Sequence, residues 1–517
     1  MKLAAIDIGT NSIHMIIVEV ISRRHFQVIE RQKEMVKLGA GVFATQRLSA
    51  RAYQQGLETI HRYVQLAEQI GVDEILTAAT SAIREDKNGE AFMNDVVKRT
   101  GLAPKIISGK VEAHLIFLAV RNSIALADET VAVLDIGGGS TEAVIGDRHE
   151  VLFGDSLPLG VQRLLDMFEG QGPISSESRH VLEAHIQFAA QKTLDLIREM
   201  GFDRGIGTSG TIRTLGEAAH LAAGGDSLRS VNAEVVQLKD LQSLTQDLVD
   251  QEMTDRAKVD GISDKRADAI HLGGILLGQL LKMADAQAIT LCDASLREGM
   301  ILDYLERHAQ GVATFPRQAD LRYRKAAQLA PKYQSDWHRN SHIAGLAVQL
   351  LDQTYALHGY GRFERDMLEL AAILHDIGQL ISFREYHKNS RFIINRTDPR
   401  GFTDEEVFLI GHVVRYHCKA APTKRYKKFK RLSKAHRQRV QTLSGILRIA
   451  VCLDKTKHQR VDTLTCHLTD KALEIQVSGQ DNNLDLEIWA ARQNSQVLAT
   501  ALKRPIEIQP LKSSFST

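Results

Sequence analysis

Two stretches of the sequence place a carboxylate, a small polar turn and a second apolar run in the same order. Residues 5–20 read AIDIGTNSIHMIIVEV, and residues 133–147 read VLDIGGGSTEAVIGD. In each stretch an apolar run ends at an aspartate, Asp7 or Asp135. Because apolar runs separated by Gly and Ser are typical of strands joined by a turn, the pattern predicts two β-hairpins with polar tips.

The tip of the second hairpin has the composition of an anion-binding turn. Its three consecutive glycines permit positive φ and a close approach of the backbone to a ligand, and successive N–H groups there form a concave anion site. The neighbouring hydroxyl groups add hydrogen-bond donors. The residues expected to bind phosphate at the two tips are Asn11, Ser12, Gly138, Gly139, Ser140 and Thr141.

The carboxylates beside these tips suit a divalent cation. Asp135 stands at the end of the incoming strand and Glu142 on the outgoing one, and Mg²⁺ is commonly bound through one or two carboxylates with several waters retained. Asp7 has the matching place in the first hairpin, although an aspartate there is also typical of a turn cap. Two hairpins that face each other across a cleft would hold a phosphate and its cation from both sides.

Two familiar phosphate loops are excluded. The sequence has no GxxxxGK[ST], and a dinucleotide-binding GxGxxG would open into a helix, whereas TEAVIGD continues as a strand. A single glycine-rich hairpin is also typical of an ordinary tight turn. The repetition of the whole pattern is what favours a ligand site.

Composition limits the class of protein. The chain has 517 residues, a length that predicts several domains. Its formal net charge of +2 does not indicate a class of charged partner, so any such partner must be inferred from local charged patches. Its four cysteines are scattered without a CxxC pair, which argues against a disulfide framework or a zinc ribbon. No secretory leader and no long apolar run occurs, so a cytoplasmic protein without a membrane span is expected.

Strand and helix patterns alternate twice along the chain before the composition changes. The first pass includes strands at KLAAIDIGT and EILTAATSA, a helix that ends at Gly71, and a helix capped by Ser108. The scheme restarts near residue 130, which indicates two α/β domains related by duplication. Amphipathic helices then dominate, and strand alternation returns at the end. The expected domains are 1–125, 126–312, 313–458 and 459–517, the last two being an all-α domain and a small β-rich domain.

The two hairpin motifs resemble the phosphate motifs of the actin, Hsp70 and sugar-kinase superfamily, and more narrowly those of the exopolyphosphatase and guanosine-pentaphosphate phosphohydrolase family. Further segments agree with that family in order, namely ATSAIREDKN, IISGKVEAHLIF, LPLGVQRL, GTSGT, KRADAIHLGGILL and SLREGMI. The resemblance implies duplicated actin-like (ribonuclease H-like) domains, a Mg²⁺ or Mn²⁺ ion between the hairpins, and a homodimer. The length resembles that of the longer, exopolyphosphatase-type members.

Three further segments supply candidate site residues. Glu112 lies in the first turn of a helix, an ordinary position for a glutamate, but the resemblance implies that the glutamate of an SG-x-x-E-A motif is the catalytic base. Arg84 follows a strand and could either bind phosphate through two N–H groups or form a surface ion pair. The turn GTSGT precedes a helix and offers another anion site, at Ser209, Gly210 and Thr211.

The helical region contains an ordered set of histidines and aspartates that resembles the HD phosphohydrolase superfamily. The adjacent pair His375 and Asp376 could bind one metal ion together with His342 and Asp454 from other helices. Histidines on helices are also common as polar core residues, and in exopolyphosphatases this domain often serves as a scaffold. The hypothesis is a second divalent metal at these four residues, with independent hydrolysis as a further step.

A basic segment follows in the same region. Residues 419–439 carry ten Lys or Arg and no acidic residue. Such a run is typical of a solvated helix face or of a polyanion contact, because binding of a polyanion releases counterions. Polyphosphate is the favoured polyanion over nucleic acid, and peripheral membrane attachment stays an alternative. The residues expected to form this track are Lys427, Lys428, Lys430 and Arg431.

Together these features predict an exopolyphosphatase, a phosphoanhydride hydrolase that releases terminal orthophosphate from inorganic polyphosphate with Mg²⁺. Hydrolysis of guanosine pentaphosphate (pppGpp) to the tetraphosphate (ppGpp) uses the same bond chemistry and is the nearest alternative. A non-catalytic sensor of polyanions or of these guanosine alarmones is the alternative from a different class.

Overall fold

The structure is a computed structural model that describes residues 1–22, 25–168, 172–228, 230–308, 326, 329–396, 403–479 and 484–511. The chain divides into two compact units, Met1–Gln318 and Ala319–Thr517. The predicted boundary at residue 312 lies outside the described residues. Within the described ranges, no helix has both the length and the apolar character that crossing a bilayer requires.

Two sheets form the framework of the first unit. The strands of the first sheet are β1 (Lys2–Ile8), β2 (Ile13–Ser22), β3 (His25–Glu34), β4 (Glu74–Ala79) and β5 (Lys105–Ile106). The strands of the second sheet are β6 (Val131–Ile136), β7 (Thr141–Gly146), β8 (Val151–Leu157), β9 (Arg204–Thr208), β10 (Val235–Gln237) and β11 (Ala288–Leu291). The spatial orders are β3-β2-β1-β4-β5 and β10-β11-β9-β6-β7-β8.

The strand order confirms the predicted duplication. In each sheet three consecutive strands pair antiparallel, β1 with β2 and β2 with β3 in the first, β6 with β7 and β7 with β8 in the second. A later strand then pairs parallel with the first strand of the three, β4 with β1 and β9 with β6. Each sheet therefore presents its first hairpin at the same topological position.

Helices connect the strands of the first unit, and their ends follow local sequence as predicted. They are α1 (Val42–Thr45), α2 (Ala50–Ile70), α3 (Ser81–Glu85), α4 (Gly89–Thr100), α5 (Gly109–Arg121), α6 (Val161–Met167), α7 (Ser176–Met200), α8 (Ser209–Ala222), α9 (Leu238–Val249), α10 (Met253–Arg256), α11 (Ile270–Met283) and α12 (Leu296–His308). Gly71 ends α2 with a φ of 74°. The Ser108 Oγ accepts a hydrogen bond from the Val111 N–H at 3.3 Å and so caps α5.

One apolar core joins the two sheets of this unit. It includes Leu3 and Ala5 of β1, Val131 and Val133 of β6, and the buried faces of α5 and α12. Helix α5 contacts α12 and also β7 and β8 of the second sheet. The helix that carries Glu112 is therefore fixed against the second hairpin, although it lies in the first half of the repeat.

The second unit is mainly helical. Its helices are α13 (Trp337–Gln353), α14 (Tyr355–His358), α15 (Arg362–Ile373), α16 (Tyr386–Ile394), α17 (Asp404–Tyr416), α18 (Lys427–Lys430), α19 (Lys434–Cys452), α20 (Asp485–Asn494) and α21 (Gln496–Leu502). A small sheet of β12 (Val461–Leu468), β13 (Leu473–Gly479) and β14 (Ile506–Pro510) completes it, in the order β12-β13-β14. The helices and this sheet contribute side chains to one apolar core.

Candidate active site

The first hairpin of each sheet places equivalent residues side by side. Asp7 on β1 pairs with His14 on β2, and Asp135 on β6 pairs with Glu142 on β7. Directly opposite residues on neighbouring strands project from the same face of a sheet. Each hairpin therefore presents an aspartate and a second polar side chain together, and His14 is the structural counterpart of Glu142.

The tips of the two hairpins lie against each other. A Cβ atom on Gly138 would lie 2.8 Å from the Cβ of Thr10 and 3.1 Å from the Cγ of Asn11. A Cβ atom on Gly139 would lie 2.4 Å from the Oγ of Ser81. None of the three tip glycines adopts the positive φ that glycine permits. Gly138 leaves space for the opposite tip, and Gly139 leaves space for Phe43 and Ser81.

A cavity of about 400 Å³ lies between the two hairpins. Because both aspartates line this cavity together with Glu112, the duplicated fold brings the predicted groups together. The predicted residues in its walls are Asp7, Asn11, Ser12, Glu112, Asp135, Gly138, Gly139, Ser140, Glu142, Ser209, Gly210 and Thr211.

Close packing at the start of α5 sets the position of Glu112. A Cβ atom on Gly109, the first residue of this helix, would lie only 2.2 Å from the Cβ of Ser156, and the Ser156 Oγ donates to the Glu142 Oε1 at 2.8 Å. Burial and then the negative charge of Glu142 raise the pKa of Glu112 well above its usual value, whereas the positive charge of Arg84 opposes this rise. Glu112 is thus a buried carboxyl group with the character of a strong base.

The other carboxyl groups of the cavity are also hard to ionise alone. Burial raises the pKa of Asp7 to about 6. Burial raises the pKa of Asp135 well above its usual range, and the charges of Glu142 and Asp7 add to the rise. Burial also raises the pKa of Glu142, against hydrogen bonds from two serines. Such a group of acids is stabilised by a cation or by protonation.

Arg84 contacts Glu112 and not the cavity that was predicted to hold phosphate. Its Nη1 donates to the carbonyl oxygen of Ile107 at 2.9 Å and to the Oε2 of Glu112 at 3.2 Å. Arg84 is absent from the residues that line the cavity. Its guanidinium therefore orients the Glu112 carboxylate and favours the ionised form.

Thr141 does not contribute to the phosphate site, contrary to the prediction. Its Oγ1 donates to the carbonyl oxygen of Leu159 at 2.6 Å, and its side chain is fully buried. The reason is that successive side chains of a strand project from opposite faces of the sheet. Thr141 lies between Ser140 and Glu142, both of which line the cavity, so its side chain projects from the opposite face.

The turn before α8 has the geometry of a ligand site. Ser209 adopts a φ of 88°, which is uncommon for a residue with a side chain and tends to occur at functional positions. A Cβ atom on Gly210 would lie 1.9 Å from the Nη2 of Arg266, so only glycine leaves room for that guanidinium. Together with Thr211, these residues offer helix N-terminal N–H groups and a cation to a bound phosphate.

A group of basic side chains that the sequence analysis did not assign adjoins this turn. Lys33, Arg213, Arg266 and Arg297 line the cavity, and Lys265 lines an adjoining pocket. Burial and the positive charges of these neighbours lower the pKa of Lys33 to about 8. Mutually repelling cations are suited to a polyanion that neutralises them. Three of them, Lys265, Arg266 and Arg297, lie in KRADAIHLGGILL and SLREGMI, segments that carried the family resemblance and could have revealed them.

His14 is a further cavity residue that the sequence analysis did not assign. Its Nε2 lies 2.5 Å from the Oγ of Ser12, and its Nδ1 lies 3.2 Å from the Nη1 of Arg297. Burial and then the charges of Arg297 and Lys33 lower the pKa of His14 to about 2. An alignment of the two repeats, which places His14 opposite Glu142, was the clue that could have found it.

The oxygen donors of the cavity have the chemistry of a magnesium site. Among the described residues, no group of three or more His, Cys, Asp or Glu side chains is arranged to hold a metal ion. Mg²⁺ requires only one or two carboxylates and retains water as its other ligands. The cross-strand pair Asp135 and Glu142 supplies two buried carboxyl groups, and Asp7 faces the same cavity.

The predicted metal site of the helical unit holds an arginine instead. The Nε of Arg339 lies 2.7 Å from the Oδ2 of Asp454, and its Nη1 lies 3.9 Å from the Oδ2 of Asp376. The Oδ1 of Asp376 accepts hydrogen bonds from Ser335 at 2.6 Å and Asn340 at 2.7 Å. The guanidinium neutralises both carboxylates, so a divalent cation would meet a positive charge and occupied oxygens.

The two histidines of that prediction have different surroundings. The Nδ1 of His375 lies 2.7 Å from the carbonyl oxygen of Ala372, and burial lowers the pKa of the ring. In the described part of the chain, the buried Nε2 of His342 has no hydrogen-bond partner. Because Arg339 neutralises the two aspartates, the four residues in this arrangement do not fit a second divalent metal, and no chemistry is derived from one.

The predicted polyanion track lies in the second unit. Lys427, Lys428, Lys430 and Arg431 are exposed, and Phe429 between them is buried in the core. The phenylalanine thus anchors a short helix whose charged side chains face solvent.

Comparison with known proteins identifies the family. Residues 16–308 match the sequence profile of the Ppx/GppA phosphatase family, and residues 321–494 match the profile of Ppx/GppA phosphatase domain III. Two similar curated proteins are named guanosine-5'-triphosphate,3'-diphosphate pyrophosphatase. The one from Vibrio vulnificus (strain YJ016) is 28% identical over 509 residues, which is 95% of this chain and 96% of that protein. The one from Aeromonas hydrophila is 28% identical over 460 residues, 88% of each.

Solved structures agree with this assignment. An exopolyphosphatase from Cytophaga hutchinsonii matches with a TM-score of 0.56 and 26% identity, covering 59% of this chain and 98% of that one. The Aquifex aeolicus member of the Ppx/GppA family matches with a TM-score of 0.51 and 26% identity, covering 60% of this chain and 99% of that one. Together with the repeated sheets, these similarities confirm the predicted fold of duplicated actin-like domains followed by a helical domain.

Proposed function

Because the chain belongs to the Ppx/GppA phosphatase family, we propose that it hydrolyses the terminal phosphoanhydride bond of inorganic polyphosphate and releases orthophosphate. The observation that supports this most is the composition of one cavity. Buried carboxyl groups suited to a base and a cation share its walls with four basic side chains suited to a chain of phosphates. A substrate with charge along its length matches that wall better than a single phosphate group does.

Glu112 orients the attacking water and accepts its proton. As the water oxygen bonds to the terminal phosphorus, the bridging P–O bond breaks and the shortened chain leaves with the bonding electrons. Burial makes Glu112 a stronger base than an exposed glutamate, and the guanidinium of Arg84 opposes the rise in its pKa. The two effects act in opposite directions, so Arg84 favours the ionised form that accepts the proton of water.

The tips and the basic group position the substrate. Ser12, with the N–H groups beside Gly138 and Gly139, donates to the oxygens of the terminal phosphoryl group. The turn at Ser209 and the basic side chains beyond it bind the next phosphates of the chain. With the substrate bound in this way, the reacting phosphorus would lie in the cavity that Glu112 and the two tips line together.

Asp135 and Glu142 would hold the divalent cation, with Asp7 in support. When bound, Mg²⁺ or Mn²⁺ neutralises charge on the phosphoryl oxygens. Burial raises the pKa of both carboxyl groups, and the charges of Glu142 and Asp7 add to the rise at Asp135, so a bound cation would favour their ionised forms.

Removal of the terminal phosphate of pppGpp is a second candidate function. Two relatives that match nearly the whole chain carry the name of that activity. The cavity wall also includes Glu217 of α8, whose carboxylate can accept hydrogen bonds from the N–H groups of guanine. Bare polyphosphate offers no such donors.

Replacement of the proposed base tests whether the protein is an enzyme or a sensor. Glu112→Gln is expected to lower kcat about 10²- to 10⁴-fold while tripolyphosphate still binds, because only proton transfer is lost. Glu90→Gln, an exposed glutamate in the first turn of α4, is the matched control and should keep full activity. Unchanged turnover in Glu112→Gln would contradict the role of the base, and an inactive wild type that binds tripolyphosphate would favour the sensor.

The ratio of kcat/KM for polyphosphate to that for pppGpp separates the two enzymes. We expect a ratio above one for the wild type and no effect of Glu217→Gln on polyphosphate hydrolysis. A ratio below one, together with a selective loss of pppGpp hydrolysis in Glu217→Gln and not in the exposed control Glu199→Gln, would move the assignment to the second candidate.

We also propose that the enzyme works in the cytoplasm as a homodimer. All four cysteines are free thiols, which suits a reducing compartment. The dimer is expected from the family resemblance alone, and light scattering of the purified protein measures it directly.

A further inference from the structure

The equivalent serines of the two hairpin tips have different hydrogen-bond partners. Ser12 of the first tip contacts the imidazole of His14, with 2.5 Å between Oγ and Nε2. Ser140 of the second tip hydrogen-bonds the carboxyl group of Glu142. In both hairpins the partner stands two residues after the serine, on the outgoing strand.

The surroundings of His14 fix which of its nitrogens carries the proton. Nη1 of Arg297 lies 3.2 Å from Nδ1, and an arginine can only donate. Nδ1 must therefore be the acceptor, which leaves the ring proton of neutral His14 on Nε2. That proton points to the Oγ of Ser12, so the serine oxygen accepts and its own hydroxyl hydrogen is directed elsewhere.

A second set of hydrogen bonds holds Arg297 in place. Its Nη2 and Nε donate to the Oγ of Ser295 at 2.9 and 3.2 Å, and that hydroxyl donates to Oε2 of Glu298 at 2.6 Å. Glu298 is 1% exposed. Arg297 therefore donates on both sides, inward through Ser295 to a buried carboxylate and outward to His14, and the imidazole of His14 in turn donates to Ser12.

We propose that His14 is a positioning residue that commits the Ser12 hydroxyl to donate its hydrogen to a phosphate oxygen. At the other tip a carboxylate takes the hydrogen of Ser140, whose lone pairs are then the side presented to the cavity. The two tips are related by duplication but present opposite polarity. This inference rests on the proposed function, because it takes a phosphate group as the ligand between the tips.

The tautomer of His14 can be measured without any turnover. Protein labelled with ¹⁵N at histidine Nδ1 gives separate resonances for protonated and unprotonated nitrogens, and the signal absent from His14→Gln belongs to His14. We expect that signal among the unprotonated nitrogens. A signal among the protonated nitrogens would overturn the proposal, because Nε2 could then not donate to Ser12.

A double-mutant cycle tests whether His14 acts through Ser12. Binding of tripolyphosphate with Mg²⁺ is measured by calorimetry in the Glu112→Gln background, which prevents hydrolysis. Ser12→Ala is expected to weaken binding about 10- to 100-fold, as loss of a hydrogen bond to a charged group does. His14→Leu should weaken binding several-fold alone and add nothing to Ser12→Ala, whereas His14→Gln, which keeps one acceptor and one donor, should stay close to the parent.

The outcomes of the cycle separate this proposal from the proposed function. Independent, additive losses in the two single variants would overturn the role of His14, and so would a His14→Gln variant as weak as His14→Leu. Thermal unfolding of each variant identifies a loss of affinity that comes from misfolding. The ¹⁵N-labelled wild type reports the tautomer of His14 whether or not the variants fold. A wild type that hydrolyses neither polyphosphate nor pppGpp would overturn the proposed function while leaving the binding cycle intact.

Discussion

The interaction of Arg84 with Glu112 predicts a change in pH dependence. Glu112 must be ionised to accept a proton, so kcat/KM falls as the pH drops through its pKa. The nearby guanidinium, 3.2 Å away, lowers that pKa against the effects of burial and of Glu142. Arg84→Gln should therefore raise the pKa and move the acid limb of the pH profile to higher pH.

The pH profile of kcat/KM on short polyphosphate measures this shift. Arg99→Gln, an exposed arginine in the last turn of α4, is the control and should keep the wild-type profile. If Arg84 instead bound phosphate, as its sequence position suggested, its loss would raise KM and leave the acid limb in place.

The side chains that were predictable are those whose role follows from their own strand position. Asp7, Asp135 and Glu142 end or begin apolar runs, so the pattern alone located them at the tips. Thr141 was assigned wrongly because composition marked it as polar, whereas the alternation along β7 turns it away from the cavity. The sequence placed Arg84 near the site but assigned it to phosphate, whereas it contacts Glu112. An ion pair between residues 28 positions apart leaves no periodic pattern in the sequence.

At the level of elements, contact between the two hairpin tips predicts a strict size limit at Gly138. An alanine there would place its Cβ 2.8 Å from the Cβ of Thr10, closer than such atoms pack, and would push the tips apart. Gly138→Ala should lower the free energy of unfolding by about 1 to 3 kcal/mol and reduce activity more than stability explains.

Gly278 in α11 offers the matched control for this substitution. A Cβ atom there would have no neighbour within 4 Å, so Gly278→Ala should stabilise the helix by about 0.5 to 1 kcal/mol. Chemical denaturation of both variants and of the wild type gives the comparison. Equal effects of the two substitutions would contradict a contact between the tips.

In the second unit, the ion pair between Arg339 and Asp454 predicts a structural role for the former metal candidates. The Asp454 side chain is fully buried and that of Arg339 is 12% exposed, so Asp454→Ala leaves an almost buried cation with only the more distant carboxylate of Asp376. The expected cost is about 3 to 5 kcal/mol of unfolding free energy. Asp255→Ala, which breaks an exposed pair with Lys258, should cost at most about 1 kcal/mol.

Metal analysis of the purified protein completes this prediction. Wild type and the double variant His375→Ala, Asp376→Ala should carry the same amount of transition metal, because the carboxylates of the helical unit are already neutralised by Arg339. A stoichiometric metal that the double variant loses would restore the second-metal hypothesis.

For the molecule as a whole, the sequence was most informative where the chain repeats itself. Two copies of the hairpin motif predicted two like sheets, and the strand orders confirm them. The function of the helical unit was harder to predict. The same ordered series of His and Asp occurs in the sequence whether a metal ion or an arginine lies between the carboxylates. Arg339 lies three positions before His342 in α13, but the sequence gives no sign that it contacts the aspartates, and only the three-dimensional packing places it between Asp376 and Asp454.

The exposed basic segment of the second unit predicts that long and short substrates depend on different parts of the protein. Neutralising Lys427, Lys428, Lys430 and Arg431 to Gln removes charge that faces solvent and leaves the buried Phe429 anchor intact. Affinity for long-chain polyphosphate should fall, and its dependence on salt should become shallower, because fewer counterions are released on binding. Hydrolysis of tripolyphosphate should stay unchanged, since the cavity of the first unit has its own basic side chains.

A second set of four exposed lysines in the same unit gives a control of equal charge, namely Lys332, Lys455, Lys457 and Lys471. KM for long chains and its slope against salt concentration are compared between the two quadruple variants. If the segment is a track, only the first variant loses long-chain affinity, because the effect depends on where the charges lie and not on net charge. Equal losses of long-chain affinity in both variants would mean that the segment contributes only a general electrostatic attraction. An equal loss of tripolyphosphate hydrolysis in the first variant would contradict the separate roles of the segment and the cavity.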